Sequence, residues 1–163
     1  MTAEATGAAV RVATSAPDVA HARRLFVEYA QWLGVDLCFQ DFAAELENLP
    51  GAYAPPRGCL LLAGVEPDAF ACIALRPLKG ASVDVGEVKR LYVQPRSRGQ
   101  GWGRRLVDAL IARARSLGYR ELKLDTLERM TDAHALYSGV GFRECAAYYA
   151  NPLPDVVYMS LQL

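Results

Sequence analysis

Val88-Lys-Arg-Leu-Tyr-Val-Gln-Pro-Arg-Ser-Arg-Gly-Gln-Gly-Trp-Gly-Arg-Arg-Leu106 reads as a strand running into a glycine loop and then a helix. The β-rich run from Val88 to Val93 stops at Pro95, and glycines follow at alternate positions, Gly99, Gly101 and Gly103. Helical spacing resumes with Leu106, Leu110 and Leu117. Glycines let the backbone come close to a ligand, and the first N–H groups of a helix point at an anion, so this is a place to hold a phosphate. Six basic residues and no acid lie between Val88 and Leu106: Lys89, Arg90, Arg96, Arg98, Arg104 and Arg105. The alternative reading of that cluster alone is a solvated or nucleic-acid-binding face; the glycines favour phosphate binding.

Two common glycine motifs do not fit. A P-loop ends in Gly-Lys-Ser/Thr, whereas this loop ends Gly-Arg-Arg. A dinucleotide fingerprint needs its third glycine three residues after the second and opens its domain. Here the spacing is two and the loop lies past mid-chain.

Arg98-Gly-Gln-Gly101-Trp-Gly103 resembles the acyl-CoA-binding signature of the GNAT acetyltransferase superfamily, Gln/Arg-x-x-Gly-x-Gly/Ala. The flanks strengthen the likeness. Glu87-Val-Lys-Arg-Leu-Tyr-Val before it is similar to the family's central strand. Ala133-His-Ala-Leu-Tyr137-Ser-Gly-Val-Gly-Phe142 after it resembles the second signature, Ala-x-x-Leu-Tyr-x-x-x-Gly-Phe.

The pattern along the chain gives the order βααβββαβαββ. A short strand spans 10–13. A helix opened by Pro17-Asp18 carries Val19, Ala22, Leu25, Phe26 and Leu33 at helical spacing and ends at Gly34. A shorter helix spans about 40–47. Strands at 59–65 and 69–75 flank Glu66-Pro-Asp68, and 82–93 leads into the glycine loop and a helix over 101–117. A strand at 121–126, a helix at about 130–140 and two last strands near 142–148 and 156–161 complete the chain. Periodicity alone gives only α/β. The resemblance implies a mixed, centrally splayed sheet flanked by helices, with acyl-CoA entering the splay and its pantetheine arm continuing the hydrogen bonding.

The 163 residues suit a single domain over 1–163, with 1–8 expected as a flexible arm. Eighteen acids balance eighteen bases, so no global field draws nucleic acid or a membrane surface. No apolar run approaches the ~20 residues of a membrane span. The four cysteines are scattered without a Cys-x-x-Cys pair, so no metal site is expected and a cytoplasmic, reducing compartment fits. Cys59 and Cys72 read as core, and Cys145 as structural.

What the resemblance implies can be carried onto residues. The pyrophosphate falls on the backbone of Arg98, Gly99, Gln100, Gly101, Gly103 and Arg104, with the Arg98 and Arg104 side chains adding charge. Leu91, Tyr92 and Val93 lie where the central strand meets pantetheine, through backbone rather than side chains. Tyr137 matches the tyrosine that protonates the departing thiolate; the alternative is a packed tyrosine on an apolar helix face. Glu87 stands where some members place a general base, and alternatively is a strand carboxylate paired with Lys89 or another cation. One departure is Met130, where the family often has an asparagine against CoA. His134 reads as a surface residue.

Acyl transfer to an amine needs a neutral amine, donors for the carbonyl oxygen and help for the leaving thiolate. An alkylamine with a pKa of roughly 10.4 must first lose a proton. The function that the resemblance implies is transfer of acetyl from acetyl-CoA to a primary amine of a small molecule or peptide, without a metal. Tyr29, Trp32, Tyr148, Tyr149 and Asn151 are the candidate acceptor-binding residues, although helix aromatics commonly belong to the core. Asp36 and Asp41 are further acids that are more simply solvated. The partners expected are acetyl-CoA, an amine and at most a second copy of the chain. A non-catalytic acyl-CoA sensor is the alternative.

Overall fold

The computed structural model describes residues 7–163. The arm expected over 1–8 lies outside the described residues as far as position 6, while Ala8 packs against the core. The elements are β1 (Ala9–Val12), α1 (Ala16–Leu33), α2 (Phe42–Glu47), β2 (Cys59–Gly64), β3 (Ala71–Pro77), β4 (Val85–Val93), α3 (Trp102–Ser116), β5 (Glu121–Leu127), α4 (Thr131–Gly139), β6 (Arg143–Glu144) and β7 (Val156–Gln162). The order βααβββαβαββ is the expected one.

The strands form one sheet in the order β1-β2-β3-β4-β5-β7-β6, antiparallel throughout except between β4 and β5. Helices cover both faces, which is why β2 and β3 are apolar without alternation. Leu61, Ile73 and Leu75 pack with Leu106, Leu110 and Ala114 of α3. Leu60, Leu62 and Cys72 point the other way, onto Ala22, Leu25 and Phe26 of α1. Local chemistry sets the ends of α1: the Ser15 side chain accepts from the Asp18 N–H at 3.2 Å, and Gly34 closes the helix at φ 71°.

Two features of β4 build the site. Its pairing with β5 covers only Val85–Glu121 to Glu87–Lys123. β4 then runs on to Val93 and β5 to Leu127, with β5 still paired to β7 on its far side. The facing edges beyond Glu87 and Lys123 therefore diverge without a ladder between them. The second feature is a bulge. Cys72 opposes Tyr92 and Ala74 opposes Lys89, so Arg90 and Leu91 together face Ile73. Arg90 takes φ 61°, a left-handed conformation that costs a non-glycine residue about 1–2 kcal/mol. The bulge breaks the alternation of faces: Lys89 and Arg90, neighbours in sequence, both turn towards α2, while Leu91 returns to the α3 side.

The strand expected near 142–148 is only Arg143–Glu144. The Cys145 N–H still donates to the Tyr158 carbonyl at 2.9 Å, but the chain then leaves the sheet. Tyr148 and Tyr149 find carboxylates on β4 and β5 in place of a ladder. The second helix starts at Phe42 rather than 40, because Cys38–Gln40 forms a 3₁₀ turn.

Candidate active site

The glycine loop is held as a backbone cradle at the start of α3. Gly99 and Gly101 adopt φ 74° and 83°, which only glycine takes without strain, and Gly101 is an N-cap with no side-chain acceptor. The first N–H groups of α3 consequently have no carbonyl within the helix to bind. Gly103 serves another purpose: a Cβ there would come 3.2 Å from Leu136 Cδ2, so it lets α3 approach α4. Arg98 donates through Nε to the Val93 carbonyl at 2.8 Å and lies over the Trp32 ring at 4.7 Å. Arg104 pairs with Asp108 at 3.1 Å on the surface, and Gln100 is exposed.

The basic cluster does not form one field, as the sequence suggested. Arg96, Arg98, Arg104 and Arg105 surround the loop, but Lys89 and Arg90 are buried and paired inside the sheet. Ordinary alternation puts Lys89 on the same side as Glu87, and the bulge turns Arg90 to that side as well, so both enter the charged interior.

Between the diverging strands lies a small cleft of about 50 Å³, bordered by Tyr29, Leu91, Asp125, Met130 and Tyr137. Tyr92 is buried against Tyr29 at 6.3 Å, and the Leu91 and Val93 side chains pack on the α3 core, so this strand offers the cleft its backbone. Tyr137 stacks edge-on against Phe142 at 5.6 Å. Burial pushes its phenol above the ordinary 10.0, so it stays protonated.

A larger cavity of about 510 Å³ adjoins the cleft on the α2 side, with Phe39, Glu45, Tyr53, Arg76, Tyr148 and Tyr149 among its walls. An ion-pair and hydrogen-bond network joins the walls of the two spaces. Glu87 Oε1 accepts from Arg76 Nε at 2.8 Å, and Glu87 Oε2 accepts from the Tyr148 hydroxyl at 2.7 Å. Asp125 accepts from Lys89 at 3.2 Å, Tyr149 at 2.6 Å and Asn151 at 3.2 Å. Gln40 donates to Tyr149 at 3.0 Å and accepts from Arg90 at 2.9 Å, and Arg90 also binds Glu45 at 2.9 Å. The turn at 148–151 thus straps the two splayed strands together, Tyr148 on β4 and Tyr149 with Asn151 on β5.

Charge in this network is balanced rather than uniform. Burial pulls the Lys89 ammonium below its usual value against the attraction of Asp125 and Glu87. Asp125 is buried too, yet Lys89 and the Tyr149 hydroxyl hold it below the usual carboxylate range. Three donors on Asp125 favour its carboxylate form. Burial and the neighbouring carboxylates push the Tyr148 and Tyr149 phenols up, so both remain donors.

Of the residues singled out from sequence, Glu87, Tyr148 and Tyr149 meet at the cavity, and Tyr29, Leu91 and Tyr137 meet at the cleft. Asn151 stands behind Tyr149 and reaches Asp125. Trp32 borders neither space and lies by Arg98. Glu87 has the cation partner that its structural reading called for, Arg76, while Lys89 lies 4.0 Å away. Asp41 borders the cavity at φ 53°, whereas Asp36 caps the Cys38 N–H. His134 lies 3.6 Å from Glu144, away from both spaces. Sequence reasoning missed Gln40, Glu45, Arg76, Lys89, Arg90 and Asp125. A carboxylate between Leu124 and Thr126 and two cations inside an apolar strand were the available signals.

The comparisons with known proteins agree with this geometry. The model of the acetyltransferase (GNAT) family matches residues 16–142. An uncharacterized N-acetyltransferase of Schizosaccharomyces pombe is 42% identical over 142 residues, covering 86% of each chain. The crystal structure of an acetyltransferase from Streptococcus agalactiae superposes with a TM-score of 0.77 at 19% identity, covering 96% of this chain and 99% of the other. A Salmonella typhimurium structure containing acetyl-CoA has a TM-score of 0.68 at 19% identity, covering 95% and 93%. These two establish likeness of fold. With the family model spanning α1 through the Gly141-Phe142 turn, and the glycine cradle and splayed strands in place, the chain belongs to the GNAT acetyltransferase family.

Proposed function

We propose that this chain transfers an acetyl group from acetyl-CoA directly to a primary amine of a small molecule or peptide. One observation carries the reading: the cleft between the strands and the larger cavity share Gln40 and Lys89, so a donor in one meets an acceptor in the other. The acetyl-CoA in the Salmonella structure supports the choice of donor.

The roles follow from placement. The amides around Gly99 to Arg104 hold the pyrophosphate, with charge from Arg98 and Arg104. The open edge of β4 at Leu91 to Val93 pairs with the pantetheine arm. Glu87 takes the proton from the amine through the Tyr148 hydroxyl that already donates to it. Tyr137 donates to the departing sulfur. The chemistry itself requires neither a metal nor a covalent enzyme intermediate. A reducing, cytoplasmic setting suits the four free thiols.

A panel of amines incubated with acetyl-CoA, reading acetylated product by mass spectrometry, identifies the acceptor. On that acceptor, Glu87→Gln should lower kcat/KM by about a hundredfold at neutral pH, within the usual range for acid–base groups. Acetyl-CoA affinity should hold, and part of the rate should return at high pH, where free amine needs no base. An unchanged rate in the variant would remove Glu87 from the mechanism.

A further inference from the structure

Lys89 has more hydrogen-bonding capacity than its neighbours use. Its side chain is 4% exposed, and an ammonium carries three donors. One is spent on Asp125 Oδ1 at 3.2 Å, while Glu87 Oε2 is 4.0 Å away, beyond hydrogen-bond range. A buried cation with donors to spare is costly unless something completes its shell. Lys89 is also one of the two residues that border both the cleft and the cavity. The other, Gln40, has its carbonyl committed to Arg90 and its amide engaged with Tyr149. The bulge at Arg90 and Leu91 interrupts the β3–β4 ladder next to Lys89, two residues beyond the last β4–β5 pair, at the mouth of the splay.

We propose that Lys89 is a catalytic residue whose ammonium donates a hydrogen bond to the thioester oxygen as negative charge builds there, with Asp125 orienting it. This rests on the transferase reading above and adds a side-chain donor to the backbone of β4. The amine nitrogen forms its bond to the carbonyl carbon, and the C=O electron pair moves onto the oxygen facing Lys89. The surplus proton on nitrogen passes to Glu87. The pair on oxygen then re-forms the double bond and the C–S bond breaks; the sulfur leaves as a thiolate hydrogen-bonded by Tyr137 and takes a proton from solvent, to which Glu87 releases the one it accepted. Lys89 keeps its own proton throughout. Its positive charge also disfavours an acceptor ammonium at the transfer point and so favours the neutral amine.

The competing role is structural, Lys89 serving only to neutralise Asp125. Kinetics of Lys89→Met, Asp125→Asn and the double variant separate the two, with acetyl-CoA affinity measured by calorimetry on each. A lost oxyanion donor lowers kcat by about 10²–10³-fold. Lys89→Met should show such a loss with acetyl-CoA affinity nearly unchanged, and Lys89→Arg should recover part of it. The double variant, in which no carboxylate is left unpaired, should be as slow as Lys89→Met. It also covers the case in which the single variant fails to fold. A double variant with nearly wild-type kcat would overturn the proposal, as would full activity in Lys89→Met. A wild-type protein that acetylates no amine would instead overturn the transferase reading beneath it, so the two failures are distinct.

Discussion

Gly101→Asp should abolish measurable acetyl-CoA binding while leaving the fold intact. A Cβ at this position meets nothing within 4 Å, so the substitution creates no clash. The left-handed φ of 83° is a strain that aspartate tolerates better than most residues. What changes is charge at the mouth of the amide cradle. A carboxylate about 4 Å from a phosphate, at an effective dielectric near 20, is repelled by about 4 kcal/mol. That corresponds to about three decades in Kd. Gly103→Asp should also block binding, but its Cβ would crowd Leu136, so packing and charge would both contribute. Calorimetry with acetyl-CoA, alongside circular dichroism, checks the result. Wild-type affinity in a folded Gly101→Asp protein would remove the loop from the binding site.

Tyr137→Phe should lower kcat by about ten- to a thousandfold and leave acetyl-CoA affinity nearly unchanged. Phenylalanine keeps the ring and its edge-on contact with Phe142, so the packing survives and only the hydroxyl is lost. Burial raises the Tyr137 phenol above 10.0, while a thiol sits near 8.5. Complete proton transfer to sulfur is therefore uphill, and the hydroxyl acts chiefly by hydrogen-bonding the thiolate as it leaves. A pH profile tests this sign. Because the phenol's pKa is raised, the wild-type rate should show no alkaline fall from Tyr137 below its ordinary value of 10.0. An unchanged kcat in the variant, with an acceptor whose chemistry is rate-limiting, would leave Tyr137 a packing residue.

The parts of the molecule legible in sequence were those set by local chemistry. The glycine loop announces itself through its alternating glycines, two of which take φ values that only glycine adopts freely, and α1 through Pro17-Asp18 and Gly34 at its ends. The apolar runs of β2 and β3 mark strands covered on both faces. The acceptor side was harder, because long-range pairing makes it. Nothing local distinguishes Asp125 from a solvated strand carboxylate until Lys89, Tyr149 and Asn151 converge on it from β4 and the last turn. The bulge that sends Lys89 and Arg90 to the same face depends on register with β3. Counting them with the loop arginines followed naturally from their proximity in sequence. Tyr148 and Tyr149 were recognisable as candidates for the acceptor side, but the two strands they strap together were not.

The central claim is that acetyl-CoA lies between β4 and β5, on the open strand edge and the loop at the head of α3. Amide hydrogen exchange with and without acetyl-CoA tests it most directly, because it reads those backbone groups themselves. The account predicts new protection over residues 88–93 and 99–104, lost in Gly101→Asp, with little change in β1 and β2. Protection confined to other elements, or a Gly101→Asp protein protected like the wild type, would contradict it.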